Sequence, residues 1–163
     1  MAESQTGANE QQAGPKGAGL NVLGQYIKDL SFEVPNAPAI FSEMQQGPNI
    51  NIDLDTRVQN LQEGVYEVVV TVRAEAKVQD TSKTAFIAEL DYAGVFQLSM
   101  PEDMHRYVTL VECPRLLFPF FRQVLADVTR DGGFPPLMLA PIDFHALYQQ
   151  QTGNTGEGDS GEE

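Results

Sequence analysis

The segment Asn49–Arg57 places Ile50, Ile52 and Leu54 at alternate positions, with Asn51, Asp53 and Asp55 between them. A period of two is the pattern of a strand with one face buried and the other in water. Two more strand-like segments follow, Tyr66–Val78 and Thr84–Leu98, and one precedes, Val22–Val34, ending at Pro35. The links Leu61–Gly64 and Gln79–Lys83 are short and polar, as hairpin connections are. Parallel strands need a far longer crossover, so the spacing predicts an antiparallel meander, with Gly94 as a bulge in its last strand.

From about Glu102 the apolar residues take helical spacing. Leu116, Phe120, Val124 and Val128 continue it to Arg130, where Asp131-Gly132-Gly133 is a stop signal. Pro114 and Pro119 predict a break or kink near the start of this helix. FPPLMLAP, Phe134–Pro141, reads as an apolar loop, and Asp143 as the cap of a last helix from Phe144 to about Gln151. Strands first and helices second make an α+β fold, a four-stranded antiparallel sheet with two helices packed on one face.

Residues 1–19, rich in Gly, Gln, Ala and Glu, and residues 152–163, TGNTGEGDSGEE, carry too little apolar surface to offset chain entropy. Both are expected to be disordered, leaving one domain over 20–151. The net charge is −13, and 20–151 still holds 17 acids against nine bases. Such a balance argues against nucleic acid and anionic membrane surfaces as partners, and favours a basic one. The start, Met1-Ala2-Glu3-Ser4, has neither a basic cluster nor an apolar run, and Leu116–Phe121 is too short to cross a bilayer. A cytoplasmic protein without membrane insertion is the expectation.

Candidates for chemistry are few. Cys113, the single cysteine, precedes Pro114 in an apolar stretch and reads as a buried inert thiol. His145 lies beside Asp143 near a helix start, where capping or packing is the simpler role, and nothing in the sequence marks Cys113, a histidine (His105 or His145) and an aspartate as a nucleophile arrangement. Gly132-Gly133 lacks the Lys and Ser/Thr of a phosphate loop. No enzymatic activity, cofactor or metal is expected.

Alternation also sorts the first and fourth strands. Asp29 and Glu33 share one face and Leu30, Phe32 and Val34 the other. Ile87, Glu89 and Asp91 share one face, and Phe86, Ala88, Leu90 and Tyr92 the other. One side of the sheet is thus apolar. The other clusters acids around an apolar residue, a pattern that by itself describes an ordinary solvated face.

Several blocks resemble the SecB protein-export chaperone family: YIKDLSFEVPNAPAIF (Tyr26–Phe41), EGVYEVVVTVRAEAK (Glu63–Lys77), TAFIAELDYAGVF (Thr84–Phe96) and CPRLLFPFFRQVLADVTRDGGFPPLMLAPIDFHALY (Cys113–Tyr148). The resemblance spans roughly Leu20–Gln151. It implies a SecB-like sheet backed by two helices, assembled as a homotetramer, a dimer of dimers. It also implies an ATP-independent holdase that binds unfolded secretory precursors and hands them to the export motor SecA. Asp29, Glu33 and Glu89, with Ile87, match the family's SecA-docking positions. The alternatives are a general holdase, or a SecB-like chaperone dedicated to an antitoxin, and retained docking acids favour export.

The client groove is expected at Ile50, Ile52 and Leu54 together with Phe134, Leu137, Met138 and Leu139, although these loop residues could equally cover the core. Micromolar affinity needs about 8 kcal/mol. Association and ordering cost roughly as much again. At ~25 cal/mol per Å² a client must then bury roughly 600 Å² of apolar surface. One small pocket cannot supply that, whereas grooves repeated around an oligomer can.

Overall fold

The computed structural model describes residues 19–153. Four strands, β1 (Leu20–Glu33), β2 (Asn49–Gln62), β3 (Val65–Lys77) and β4 (Thr84–Leu98), form one antiparallel sheet. The expected meander holds for β2, β3 and β4. The sheet order, however, is β1-β4-β3-β2, so the first strand pairs with the fourth and not with the second. The chain from Val34 to Pro48, with the short helix α1 (Ile40–Glu43), makes the connection from one edge of the sheet to the other. Ile40 is fully buried and anchors it.

β2 runs to Gln62, beyond the expected end at Arg57, because Val58–Asn60 pair in register with Val68–Tyr66 and, after an extra residue at Leu61, Gln62 pairs with Val65. That leaves only Glu63 and Gly64 in the turn. Gly64 has φ +70°, a left-handed conformation that glycine adopts without steric penalty. Gly94 is not a bulge: it stays in register with Gln25 and Val68. A Cβ there would lie 2.6 Å from the Phe96 ring and 2.9 Å from Leu117, so glycine lets a helix come close to the sheet. The irregularities lie elsewhere: at Leu23 and Lys28 of β1, each an extra residue opposite β4, at Leu61 of β2 opposite β3, and at Ala85 of β4 opposite β3.

The helical region opens with a 3₁₀ turn, Glu102–Met104, and a single turn α2 (His105–Tyr107). A π-helical stretch, Val108–Glu112, leads directly into α3 (Cys113–Asp131). Pro114 falls in the first turn of α3, where a missing N–H is tolerated. Pro119 lies inside α3 without ending it. Leu117 on one side of it and Phe121 and Leu125 on the other are wholly buried. Their burial, about 1.5–3 kcal/mol each, outweighs the cost of one interior proline, about 3 kcal/mol. The expected stop holds: the N–H groups of Gly132 and Gly133 bond to the carbonyls of Val128 and Arg130. Asp143 caps α4 (Phe144–Gly153), accepting the Ala146 N–H at 3.0 Å.

The core lies between the sheet and α3. Val68, Val70 and Val72 of β3 and Phe86, Ala88 and Leu90 of β4 meet Leu117, Phe121 and Leu125. The α+β arrangement is therefore as expected. The segments expected to be disordered, 1–19 and 152–163, lie outside the described residues except for Gly19, Thr152 and Gly153, and the last two close α4. No helix among the described residues is long and apolar enough to cross a membrane.

Candidate functional site

The sheet face turned away from the helices is a grid of charges whose rows follow from strand register. One row reads Ser31, Glu89, Arg73, Asp53. The row on one side of it reads Asp29, Asp91, Thr71, Asp55, and on the other side Glu33, Ile87, Glu75, Asn51. Residues opposite one another in a sheet share a face with Cβ atoms about 5 Å apart. Asp29, Glu33, Ile87 and Glu89 are therefore brought together on one patch across β1 and β4. Glu33 faces Ile87 directly, and Glu89 faces Ser31 between the two β1 acids. The bulge at Lys28 does not disturb them, because it lies before Asp29.

Reading alternation alone misses what that bulge does upstream. One extra residue turns Tyr26 to the charged face and Ile27 to the helix side. Tyr26 donates its hydroxyl hydrogen bond to Glu67, and the Lys28 ammonium pairs with the same carboxylate at 2.6 Å. The bonds from Lys28 and Tyr26 hold the Glu67 carboxyl below the usual carboxylate range. Burial, helped by the bond to Glu67, pushes the Tyr26 hydroxyl up to about 12.

Sequence reasoning also missed the basic residues of this face. Arg73 pairs with Glu89 at 2.7 Å and reaches Glu75 at 3.4 Å. Arg57 pairs with Asp91 at 3.0 Å, while the Thr71 hydroxyl donates to the other oxygen of Asp91 at 2.6 Å. Asp29 and Glu33, by contrast, make no ion pair with any described residue. Asp29, Asp55, Arg57, Arg73, Glu89 and Asp91 line a shallow depression of about 430 Å³. The face is thus acidic at its β1 margin and locally neutralised along its middle. A single-strand clue existed: Arg73 and Glu75 alternate with Ala74 and Ala76, as outward residues of a strand do.

The apolar residues expected to bind clients lie on the opposite side and divide into two groups. Ile50 and Ile52, on the free edge of β2, are 39% and 40% exposed and stand opposite the buried Ala76 and Ala74. Leu54 is half-buried and lines a narrow cleft with Leu110, Phe144, Leu147 and Tyr148, between β2 and α4. In the loop after α3, Met138 is 55% exposed. Phe134, Leu137 and Leu139 are instead buried core, with Phe134 packed on the rings of Phe41 and Phe86. In the single chain these three face the core rather than a groove, whereas Pro135, Pro136, Met138, Ala140 and Pro141 of the loop are exposed, Met138 being the large side chain among them.

The remaining candidates for chemistry are occupied in packing. Cys113 is fully buried, and burial together with the charge of Glu112 pushes its thiol up to about 12. His105 bridges the Met100 carbonyl at 3.0 Å and the Tyr66 hydroxyl at 2.9 Å. His145 meets the Tyr107 hydroxyl at 3.2 Å.

Known proteins agree with this architecture. The family model described as preprotein translocase subunit SecB matches residues 10–155. The protein-export protein SecB of Acidiphilium cryptum is 55% identical over 144 residues, covering 80% of this chain and 86% of the relative. That of Granulibacter bethesdensis is 52% identical over 151 residues, covering 88% and 86%. Among solved structures, the SecB-like chaperone of Mycobacterium tuberculosis, determined with an antitoxin peptide, aligns with TM-score 0.64 at 17% identity, over 76% of this chain and 91% of that one. At that identity the likeness speaks for the fold, whereas the sequence matches settle the kinship: the chain belongs to the SecB family of preprotein translocase subunits.

Proposed function

We propose that this SecB-family chain is an ATP-independent holdase of the cytoplasm. It keeps secretory precursors unfolded and delivers them to the SecA motor, working as a homotetramer without catalysis of its own. The observation that carries this reading is the placement of two unlike surfaces on opposite sides of one sheet. Charge faces outward at Asp29, Glu33 and Glu89 around Ile87. Apolar surface is left open on the helix side at Ile50, Ile52 and Met138. A chaperone that hands over its client must hold the client and the motor at once, and two separate faces allow it.

Within this reading Ile50, Ile52 and Met138 touch the client, with Leu54 beside them and Phe134, Leu137 and Leu139 as the floor beneath. An apolar lining supplies affinity without demanding a sequence, and a methionine adapts to different side chains. The tetramer is supported by apolar residues left uncovered in the single chain: Leu116 and Phe120 on α3, and Leu23, Ile27 and Leu30 on β1.

The experiment has two arms. The purified protein should suppress aggregation of a refolding, signal-bearing precursor without ATP, and polypeptides recovered with it from cells should be signal-bearing precursors. Recovery of signal-less proteins alone would favour a general holdase instead.

A further inference from the structure

Arg73 stands in the middle of β3 on the charged face, opposite Glu89 on one side and Asp53 on the other. Its guanidinium lies 2.7 Å from the Glu89 carboxylate and 3.4 Å from that of Glu75. The acids of the docking patch are therefore not equivalent. Asp29 and Glu33 have no cation of their own among the described residues, while Glu89 already holds one.

A basic partner approaching this patch meets two obstacles at Glu89 that it does not meet at Asp29. The carboxylate is engaged, and the Arg73 guanidinium that engages it repels any incoming cation. Neither obstacle is permanent. The side chains of Arg73 and Glu89 are 40% and 51% exposed, and exposed pairs of this kind are held weakly. Arg73 also has Glu75 within reach and Asp53 across the strand pair, so it can release Glu89 without losing every anionic neighbour.

Resting on the docking reading above, we propose that Arg73 is a specificity-determining residue of the docking face, an internal competitor for Glu89. A partner gains from Glu89 only if it places a cation there that displaces the guanidinium. A merely basic surface is held through Asp29 and Glu33 alone. Specificity of this kind comes from a built-in repulsive element as much as from the attractive ones.

The test is a titration of purified SecA against the whole protein and its variants, with thermal melts to confirm folding. Arg73→Gln should tighten docking about threefold, the scale set by one exposed charge pair. Glu89→Gln should weaken docking about twofold in the wild type but about fivefold in the Arg73→Gln background, because only there is the carboxylate unoccupied. Arg57→Gln removes the same charge from the same face without touching Glu89. It should leave the cost of Glu89→Gln unchanged. Arg73→Lys, which keeps the charge and loses the planar fork, should fall between wild type and Arg73→Gln. An equal cost of Glu89→Gln in both Arg73 backgrounds overturns the proposal, as does weaker docking by Arg73→Gln. Failure of the docking reading itself has a separate signature: Asp29→Asn with Glu33→Gln would then leave SecA affinity unaltered.

Discussion

The hydroxyl of Thr129 accepts the backbone N–H of Leu137 at 2.8 Å, and donates in turn to the Leu125 carbonyl at 2.8 Å. Both residues are buried, so this bond fixes the loop that follows α3 against the helix it has just left. Leu137 and Leu139 enter the core through that anchor, and Met138 between them is forced outward.

Core and surface in this loop should therefore separate by mutation. Leu137→Ala or Leu139→Ala removes buried methyl groups and should cost about 2–4 kcal/mol of stability, read by denaturant unfolding. Thr129→Val should cost about 1–3 kcal/mol by stranding the Leu137 N–H. The triple change Ile50→Ser, Ile52→Ser, Met138→Ser touches exposed residues. It should leave the unfolding midpoint nearly unmoved while weakening suppression of client aggregation several-fold. Intact suppression by that variant would place the client surface elsewhere.

Assembly should depend on α3. Leu116 and Phe120 lie one turn apart and are 42% and 48% exposed in the single chain. Burying two such side chains is worth about 3–6 kcal/mol per contact, enough to shift association by orders of magnitude. Light scattering at micromolar concentration should give a tetramer for the wild type and smaller species for Phe120→Glu. A monomeric wild type would refute the assembly.

The cluster of Tyr26, Lys28 and Glu67 should shape the pH dependence of stability. The Glu67 carboxyl is held below its ordinary value of 4.5 in the folded chain. The unfolded chain therefore takes up the proton first as pH falls. The stabilisation is complete above about 4.5 and is lost as pH drops through the folded value. Tyr26 acts at the other end. Its hydroxyl is raised from 10.0 to about 12, so the stability it contributes is complete below 10 and is lost as pH climbs toward 12. Thermal melts from pH 2 to 12 should show Glu67→Gln with a flatter acid limb and Tyr26→Phe with a flatter alkaline limb. Parallel curves for wild type and Glu67→Gln below pH 5 would show that this carboxylate does not govern the acid limb.

What could be read from the sequence follows the range of the interactions involved. The hairpins joining β2, β3 and β4 are local, and Glu63-Gly64 announced the first of them. The pairing of β1 with β4 rather than β2 is a choice between two open edges, made by packing that no local pattern encodes. The bulge at Lys28 leaves regular alternation on each side of it. Asp29 and Glu33 were therefore placed correctly, while Tyr26 and its bond to Glu67 went unseen. Arg73 and Glu89 lie 16 residues apart, and only the register of β3 on β4 shows that they meet. In FPPLMLAP every apolar residue looks alike until the Thr129 anchor decides which of them point inward.

Docking should be electrostatic and separable from client binding. Asp29, Glu33 and Glu89 occupy the outer face, whereas Ile50, Ile52 and Met138 occupy the helix side and the loop. Each exposed charge contributes about 1 kcal/mol or less. Asp29 and Glu33 have no cation of their own among the described residues, so Asp29→Ala or Glu33→Ala should each weaken SecA binding about three- to fivefold. Glu89→Ala should cost less, because Arg73 already occupies that carboxylate. All three together should nearly abolish docking, because the single losses compound and, in the proposed tetramer, recur on every copy of the patch. Raising salt to about 0.5 M shortens the screening length to about 4 Å and should act in the same direction. Client binding is mainly apolar and should survive both treatments. The measurement is a SecA titration of the triple variant alongside precursor binding on the same preparation. Loss of both activities together would mean that the two faces are one site or that the variant is misfolded. An unchanged SecA affinity would reject the acidic face as the docking surface.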